Sequence, residues 1–136
     1  MIKFKNKKVL ITGATGGIGN SLVKKFYNLG AQIISSGTNE NKLDNLKKEF
    51  KNIEIEKFRL EEHSKIEEFI SRIDEKLNGI DILINNAGVN LDNISIRLTE
   101  ENWKKVLDLN LTATFLMCKF AIKKMLKNKS GKIINI

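Results

Sequence analysis

Eight residues near the start of the chain, Thr12-Gly13-Ala14-Thr15-Gly16-Gly17-Ile18-Gly19, include four glycines. They follow the apolar run Lys8-Val9-Leu10-Ile11 and lead into Asn20–Phe26, where apolar residues recur at helical spacing. Strand, glycine loop and helix in that order form an arrangement able to hold a dinucleotide pyrophosphate. Glycine lets the backbone turn tightly and approach phosphate oxygens, and the free amides and positive dipole end of the helix favour an anion. Gly13 permits the sharp turn, Gly17 the close approach, and Gly19 the packing of the helix on the sheet. By itself such a run also reads as a structural glycine turn; its place at the head of alternating strands and helices favours nucleotide binding.

The alternation runs the length of the chain. Strands are expected at Lys8–Thr12, Gln32–Ser36, Ile53–Arg59, Asp81–Asn85 and Lys132–Ile136. Helices are expected at Gly17–Leu29, closed by Gly30, at Asn39–Phe50 and at Lys65–Leu77. Glu100–Leu109 and Thr112–Lys127 read as one helical stretch with a bend near Asn110. Strands separated by helices imply right-handed crossovers and a parallel sheet. The one long irregular connection, Gly88–Leu98, leaves a strand at the carboxyl edge of that sheet, where ligands of such folds bind. The expected third strand alternates apolar and charged residues, as a half-buried strand should.

With 136 residues the chain suffices for one domain, and residues 1–136 read as a single nucleotide-binding unit. No apolar run reaches membrane-spanning length, Met1–Asn6 carries no secretory signal pattern, and Cys118 is the lone cysteine, so a reducing cytoplasm is expected. The net charge is +8, yet only Arg59, Arg72 and Arg97 are arginines, and the lysines are spread along the chain. Such a distribution reads as a solvated lysine surface, not the clustered basic stripe of a nucleic-acid site. Neither a nucleic-acid partner nor a metal site is expected.

Two further motifs bear on chemistry. Asn85-Asn86-Ala87-Gly88 ends the fourth strand with small residues, against which a cofactor can lie, and with carboxamides able to tie neighbouring loops together. Alone it is a turn signal. Asn110, in Asp108-Leu109-Asn110-Leu111, is a poor helix former whose carboxamide can hold a water or disturb the helical ladder; standing alone it reads as a tolerated surface residue.

Together, Thr12–Gly19, Asn85–Gly88, Asn110 and the terminal Gly131-Lys132-Ile133-Ile134-Asn135-Ile136 resemble the short-chain dehydrogenases/reductases over the whole chain. Gly88–Asn93, Leu107–Phe115 and Ala121–Met125 look most like the branch that reduces 3-oxoacyl groups carried on acyl carrier protein. The resemblance implies an α/β fold, a Rossmann-type doubly wound parallel sheet of order 3-2-1-4-5, here ending after the fifth strand. It implies cofactor contacts from Gly13, Ala14, Thr15, Gly16, Gly17, Ile18, Gly19, Gly37, Thr38, Leu60, Asn86, Ala87 and Gly88. It assigns Asn110 a catalytic place, positioning a water in a proton relay. In the family a serine and a Tyr-x-x-x-Lys pair complete the catalytic group. These 136 residues hold none of them; Tyr27 is followed four places on by Ala31. The chain therefore reads as the N-terminal part of a longer single-domain reductase.

Ser36-Gly37-Thr38-Asn39 offers no acid before Glu40 to meet ribose hydroxyls, so NADPH is favoured over NADH, although no arginine flanks the glycine loop or Gly37. Arg59-Leu60 stands where the family often places Asp or Asn against the adenine, which leaves a backbone contact from Leu60 but none from a carboxylate or carboxamide. The expected reaction is reduction of a 3-oxoacyl group on acyl carrier protein, an acidic partner suited to a basic surface. Two alternatives stay open: a reductase of the same family acting on a sugar, steroid or small alcohol, and a non-catalytic nucleotide-binding module. Phe115, Leu116, Met117, Phe120, Ala121, Ile122 and Met125 surround most of the last helix, as in a deeply buried helix or one that pairs in a homodimer or homotetramer; the resemblance favours the second.

Overall fold

The computed structural model describes residues 4–136; Met1–Lys3, part of the segment read for a secretory signal, lie outside the described residues. Five parallel strands form one sheet in the order β3-β2-β1-β4-β5, with β1 at Lys8–Ile11, β2 at Gln32–Gly37, β3 at Glu54–Lys57, β4 at Ile82–Asn85 and β5 at Lys132–Asn135. The expected strand order is thus observed. Helices α1 (Gly17–Asn28), α2 (Glu40–Glu49), α3 (Ile66–Leu77), α4 (Glu100–Leu107) and α5 (Thr114–Lys127) connect them.

The central strands are apolar on both faces because helices cover both. Val9, Ile11 and Ile33 join Val23, Phe26, Leu46 and Phe50 in a core under α1 and α2. Leu10, Ile34 and Leu83 join Phe69, Ile70, Ile73, Met117 and Ala121 in a second core under α3 and α5. Such continuous apolar strands are the mark of a parallel sheet buried on both sides. The apolar positions expected of α3 (Ile66, Phe69, Ile70, Ile73 and Leu77) are all buried.

β3 is shorter than expected and differs in kind. Its alternation suggested one wet face, but that face is covered by α3. There Glu56 accepts from Arg72 Nε and Lys76 Nζ, each at 2.7 Å. Burial pushes the Glu56 carboxyl up, and the hydrogen bonds and charges of Lys76 and Arg72 outweigh it, leaving the group below its ordinary value. Next along this face, Phe58 stacks on Phe69, ring centres 4.1 Å apart. Alternation marks one solvated face only in a two-layer packing; here it reports ion pairs.

The bend expected near Asn110 is a π-helical turn, Asp108–Ala113, between α4 and α5, and the helical path continues through it. His63, in a short 3₁₀ turn before α3, donates through Nε2 to the carbonyl of Asp108 (2.9 Å). Gly88–Leu98 is irregular apart from a single 3₁₀ turn at Ser95–Arg97. On α5, Met117, Ala121 and Met125 are buried, whereas Phe115 (62%), Ile122 (45%) and Leu126 (70%) stand in solvent. The helix is half buried, not wholly so. No described helix is long and apolar enough to cross a membrane.

Candidate functional site

The glycine loop is built by two exclusions. Gly13 has φ +60°, and a Cβ there would fall 2.8 Å from Ala87 Cα. Gly19 has no room because a Cβ would lie 2.1 Å from the Gly13 carbonyl oxygen and 2.8 Å from Ala14 Cα. The close partner of Gly19 is thus the loop's own backbone rather than the sheet expected from sequence. Gly17 is different: a Cβ there would meet nothing within 4 Å. Its missing side chain faces open space, as a glycine kept for a ligand's approach should.

α1 begins without a cap. Its N-cap, Gly16, is extended (φ −79°, ψ 173°) and has no side chain to accept a hydrogen bond, and the first turn carries no acid. The amides of Gly17, Ile18 and Gly19 have no carbonyl one turn earlier within the helix. A positive end is left for a ligand from outside the chain.

Thr12 ties the loop to the end of β4. Its buried Oγ1 donates to the Ile84 carbonyl (3.3 Å) and accepts from the amides of Asn86 and Ala87, each at 3.1 Å. Asn86 Nδ2 returns the link, donating to the carbonyls of Thr12 (3.1 Å) and Gly13 (3.0 Å). Asn85 turns the other way: its Nδ2 donates to Asn135 Oδ1 on β5 (2.9 Å), while its buried Oδ1 has no partner. The expectation that these carboxamides tie loops together thus describes the structure.

A cavity of about 420 Å³, within the size range of small-molecule sites, opens at this edge of the sheet. Its wall includes Gly13, Thr15, Gly16, Gly17, Ile18, Gly19, Gly37, Thr38, Leu60, Asn86, Ala87 and Gly88, twelve of the thirteen expected cofactor residues. Ala14 is the thirteenth. It is buried beneath the loop, and its amide donates to the Ser36 carbonyl (3.0 Å), so it is not free for a phosphate. Phe58, Glu61, Val89 and Leu109 also line the cavity and were not singled out from sequence. The period of two around Lys57 could have found Phe58; Leu109 depends on the π-helical turn, which leaves no such mark.

Asn110 is outside the cavity wall and adjoins it through the loop. Its Nδ2 donates to the Val89 carbonyl (2.8 Å), and its Oδ1 accepts from the Val89 amide (2.9 Å). A Cβ on Gly88 would come 3.2 Å from that oxygen. The carboxamide thus clasps both backbone polar groups of one residue, Val89, in the loop after β4. Tyr27 lies elsewhere, packed against Phe50 with ring centres 5.1 Å apart.

The family model of the short chain dehydrogenases matches residues 7–136. The chain is 43% identical over 137 residues to 3-oxoacyl-(acyl-carrier-protein) reductase FabG of Rickettsia conorii, covering all of this chain and 55% of the relative. It is 35% identical to the enzyme of the same name from Aquifex aeolicus, covering 99% of this chain and 56% of that one. The chain therefore spans about half the length of these curated relatives. Among solved structures, a candidate gluconate dehydrogenase from Agrobacterium tumefaciens superposes with a TM-score of 0.92 at 31% identity, over 98% of this chain and 54% of that one.

Proposed function

The chain belongs to the short-chain dehydrogenase family, and from that premise we propose that it forms the dinucleotide-binding part of an NADPH-dependent ketone reductase. The observation that carries this reading is the uncapped start of α1 opening, past the bare Gly17, into a cavity that also reaches Gly37–Thr38 and Asn86–Gly88. A cradle that a Cβ at Gly13 would close, with free helix amides above it, fits a pyrophosphate. The nicotinamide cofactor supplies a hydride when bound.

The chain's own residues bind and orient. The amides of Gly17–Gly19 would hold phosphate oxygens. Gly37 and Thr38 would border the adenosine ribose, and Leu60 would offer its backbone to the adenine. Ala87 and Gly88 give a side-chain-free floor. Asn110, by fixing both backbone polar groups of Val89, keeps that floor in place, and its turn of helix is where a relay water would be held. No Tyr-x-x-x-Lys occurs in these 136 residues, so the reading requires a proton donor that they do not contain.

The substrate we assign is a 3-oxoacyl group on acyl carrier protein, the molecule named for the relatives from Rickettsia and Aquifex. The assignment places the protein in the cytoplasm and in fatty acid synthesis. The exposed Phe115, Ile122 and Leu126 on α5 suit pairing with a second copy of the chain. The structural similarity to a candidate gluconate dehydrogenase supports a second reading, oxidation or reduction of a sugar acid.

One experiment separates the readings. Full-length protein is titrated with NADPH by fluorescence, then given an acetoacetyl thioester or a keto-sugar acid while NADPH absorbance is followed. Turnover of the thioester supports the first reading, and turnover of the sugar acid alone replaces it with the second. Absence of NADPH binding sinks both. The 136-residue chain alone is expected to be silent in the turnover assay, and steady turnover by it would require a different acid.

A further inference from the structure

We infer that Lys57, at the end of β3, is the cation that receives a phosphate on the 2′-oxygen of the adenosine ribose. The inference rests on the nucleotide-binding reading above and concerns which nucleotide is preferred. Lys57 pairs in register with Gly37, and the Phe58 amide donates to the Gly37 carbonyl at 3.0 Å. The end of β3 and the Gly37–Thr38 wall of the cavity therefore form one edge. Neighbouring strand residues point to opposite faces. Glu56 and Phe58 face α3, as their contacts with Arg72, Lys76 and Phe69 show. Lys57 takes the opposite face and reaches α2, where its Nζ donates to Glu40 Oε2 at 3.0 Å.

The two helix starts nearby are already engaged. The amide end of α1 serves the pyrophosphate. The start of α2 is occupied by its own chain: Asn39 Oδ1 accepts from the Lys42 amide (3.0 Å), and Glu40 sits in the first turn against the dipole. A phosphate beside Thr38 thus meets a helix end already neutralised and needs a side-chain cation. Arg59, past the end of β3, is the other cation of this segment; its guanidinium lies 3.7 Å from Glu61, a looser pair than that of Lys57, so Arg59 is the rival that the test must separate, and the register with Gly37 is what favours Lys57. Lys57 is held by a single exposed carboxylate, an attachment that contributes little. A phosphate dianion competes for it well, and the Thr38 hydroxyl adds a donor. Glu40 then acts as the counter-ion that parks Lys57 when no 2′-phosphate is present.

The test uses 5′-AMP and 2′,5′-ADP, which differ only in the 2′-phosphate, titrated calorimetrically into the full-length protein. Wild type is expected to favour 2′,5′-ADP. Lys57→Met should reduce that preference about tenfold and leave 5′-AMP within about twofold, while Lys57→Arg retains it. Glu40→Gln, which removes the competitor, should tighten 2′,5′-ADP about threefold without changing 5′-AMP. Equal losses for both nucleotides in Lys57→Met, or a selective loss that appears in Arg59→Met instead, overturns the assignment. A wild type that binds 5′-AMP as well as 2′,5′-ADP overturns it too, while leaving nucleotide binding intact. A wild type that binds neither overturns the nucleotide reading and this inference with it.

Discussion

α1 and α2 each follow a strand at the same edge of the sheet, yet their first turns are built on opposite plans. α2 starts from Asn39, whose side chain accepts from the Lys42 amide, and carries Glu40 in its first turn. α1 starts from Gly16, with no cap and no acid. α4 follows the plan of α2, with Thr99 Oγ1 accepting from the Asn102 amide and Glu100 and Glu101 behind it. α3 lacks a side-chain cap but carries Glu67 and Glu68 in its first turn, so α2, α3 and α4 all place negative charge at their starts, and two of them add an acceptor. α1 forgoes both, which is destabilising unless something outside the chain arrives. The difference is what supports the start of α1 as the proposed phosphate site without reference to any relative.

The comparison breaks most visibly at Gly13. Gly13→Val places a branched side chain at φ +60° and against Ala87 Cα. Backbone strain and overlap together should cost about 3 kcal/mol of stability, and NADPH affinity should fall at least about a hundredfold. Chemical denaturation and fluorescence titration measure the two, and unchanged NADPH affinity would contradict the assignment of the loop.

Gly16→Asp tests the plan itself. The residue is extended, as an N-cap should be, and a Cβ there meets nothing nearer than the Gly13 oxygen at 3.6 Å. The new carboxylate should add a few tenths of a kcal/mol as a cap and about 0.3–1 kcal/mol against the helix dipole. It should also repel the pyrophosphate by about 2 kcal/mol, roughly a thirtyfold loss of affinity. A rise in Tm together with retained affinity would mean that the bare helix end is not the anion site.

Gly17→Ala sharpens the contrast between glycines kept for packing and glycines kept for a ligand. The added methyl points into open space, so stability should hold or rise by about 0.5–1 kcal/mol, while NADPH binding weakens about tenfold. Loss of stability would show that Gly17 serves the fold.

On the other helix, Asn39→Ala should cost about 1 kcal/mol in thermal unfolding. It should leave 5′-AMP binding within about twofold, since its effect is confined to α2. A large loss of nucleotide affinity would show that the two helix starts are not independent.

Much of this was written in the order of residues. Val9-Leu10-Ile11 and Ile82-Leu83-Ile84 are apolar throughout because both faces of the sheet are covered, and the helices that cover them carry the expected stripes. The parallel sheet and its cleft followed from that. The site residues were legible where glycine was required by a backbone that nothing else fits. Three features were not. Ala14 sits within the glycine run, but its amide belongs to the sheet, and a sequence does not say which way an amide points. Glu56 looked solvated because its ion-pair partners lie 16 and 20 residues away on α3. The bend at Asn110 was legible, but not the partner of its carboxamide: within the π-helical turn Asn110 bonds Val89, a pairing across 21 residues that no local propensity encodes. Each miss is a case of a distant partner deciding a local outcome.

The hydroxyl of Thr12 sets an order of events in the making of the protein. Its two amide donors belong to Asn86 and Ala87, separated from it by 74 and 75 residues. Until that stretch has been synthesised and β4 has paired beside β1, the turn at Gly13 lacks the neighbours that fix it. A nascent chain that has emerged only through α2 carries the entire glycine run and still lacks the β4 side of the proposed binding site. On the proposed reading, nucleotide would meet the finished half-sheet and not the growing chain, and by binding there it would stabilise a contact between the first strand and the fourth rather than the loop alone.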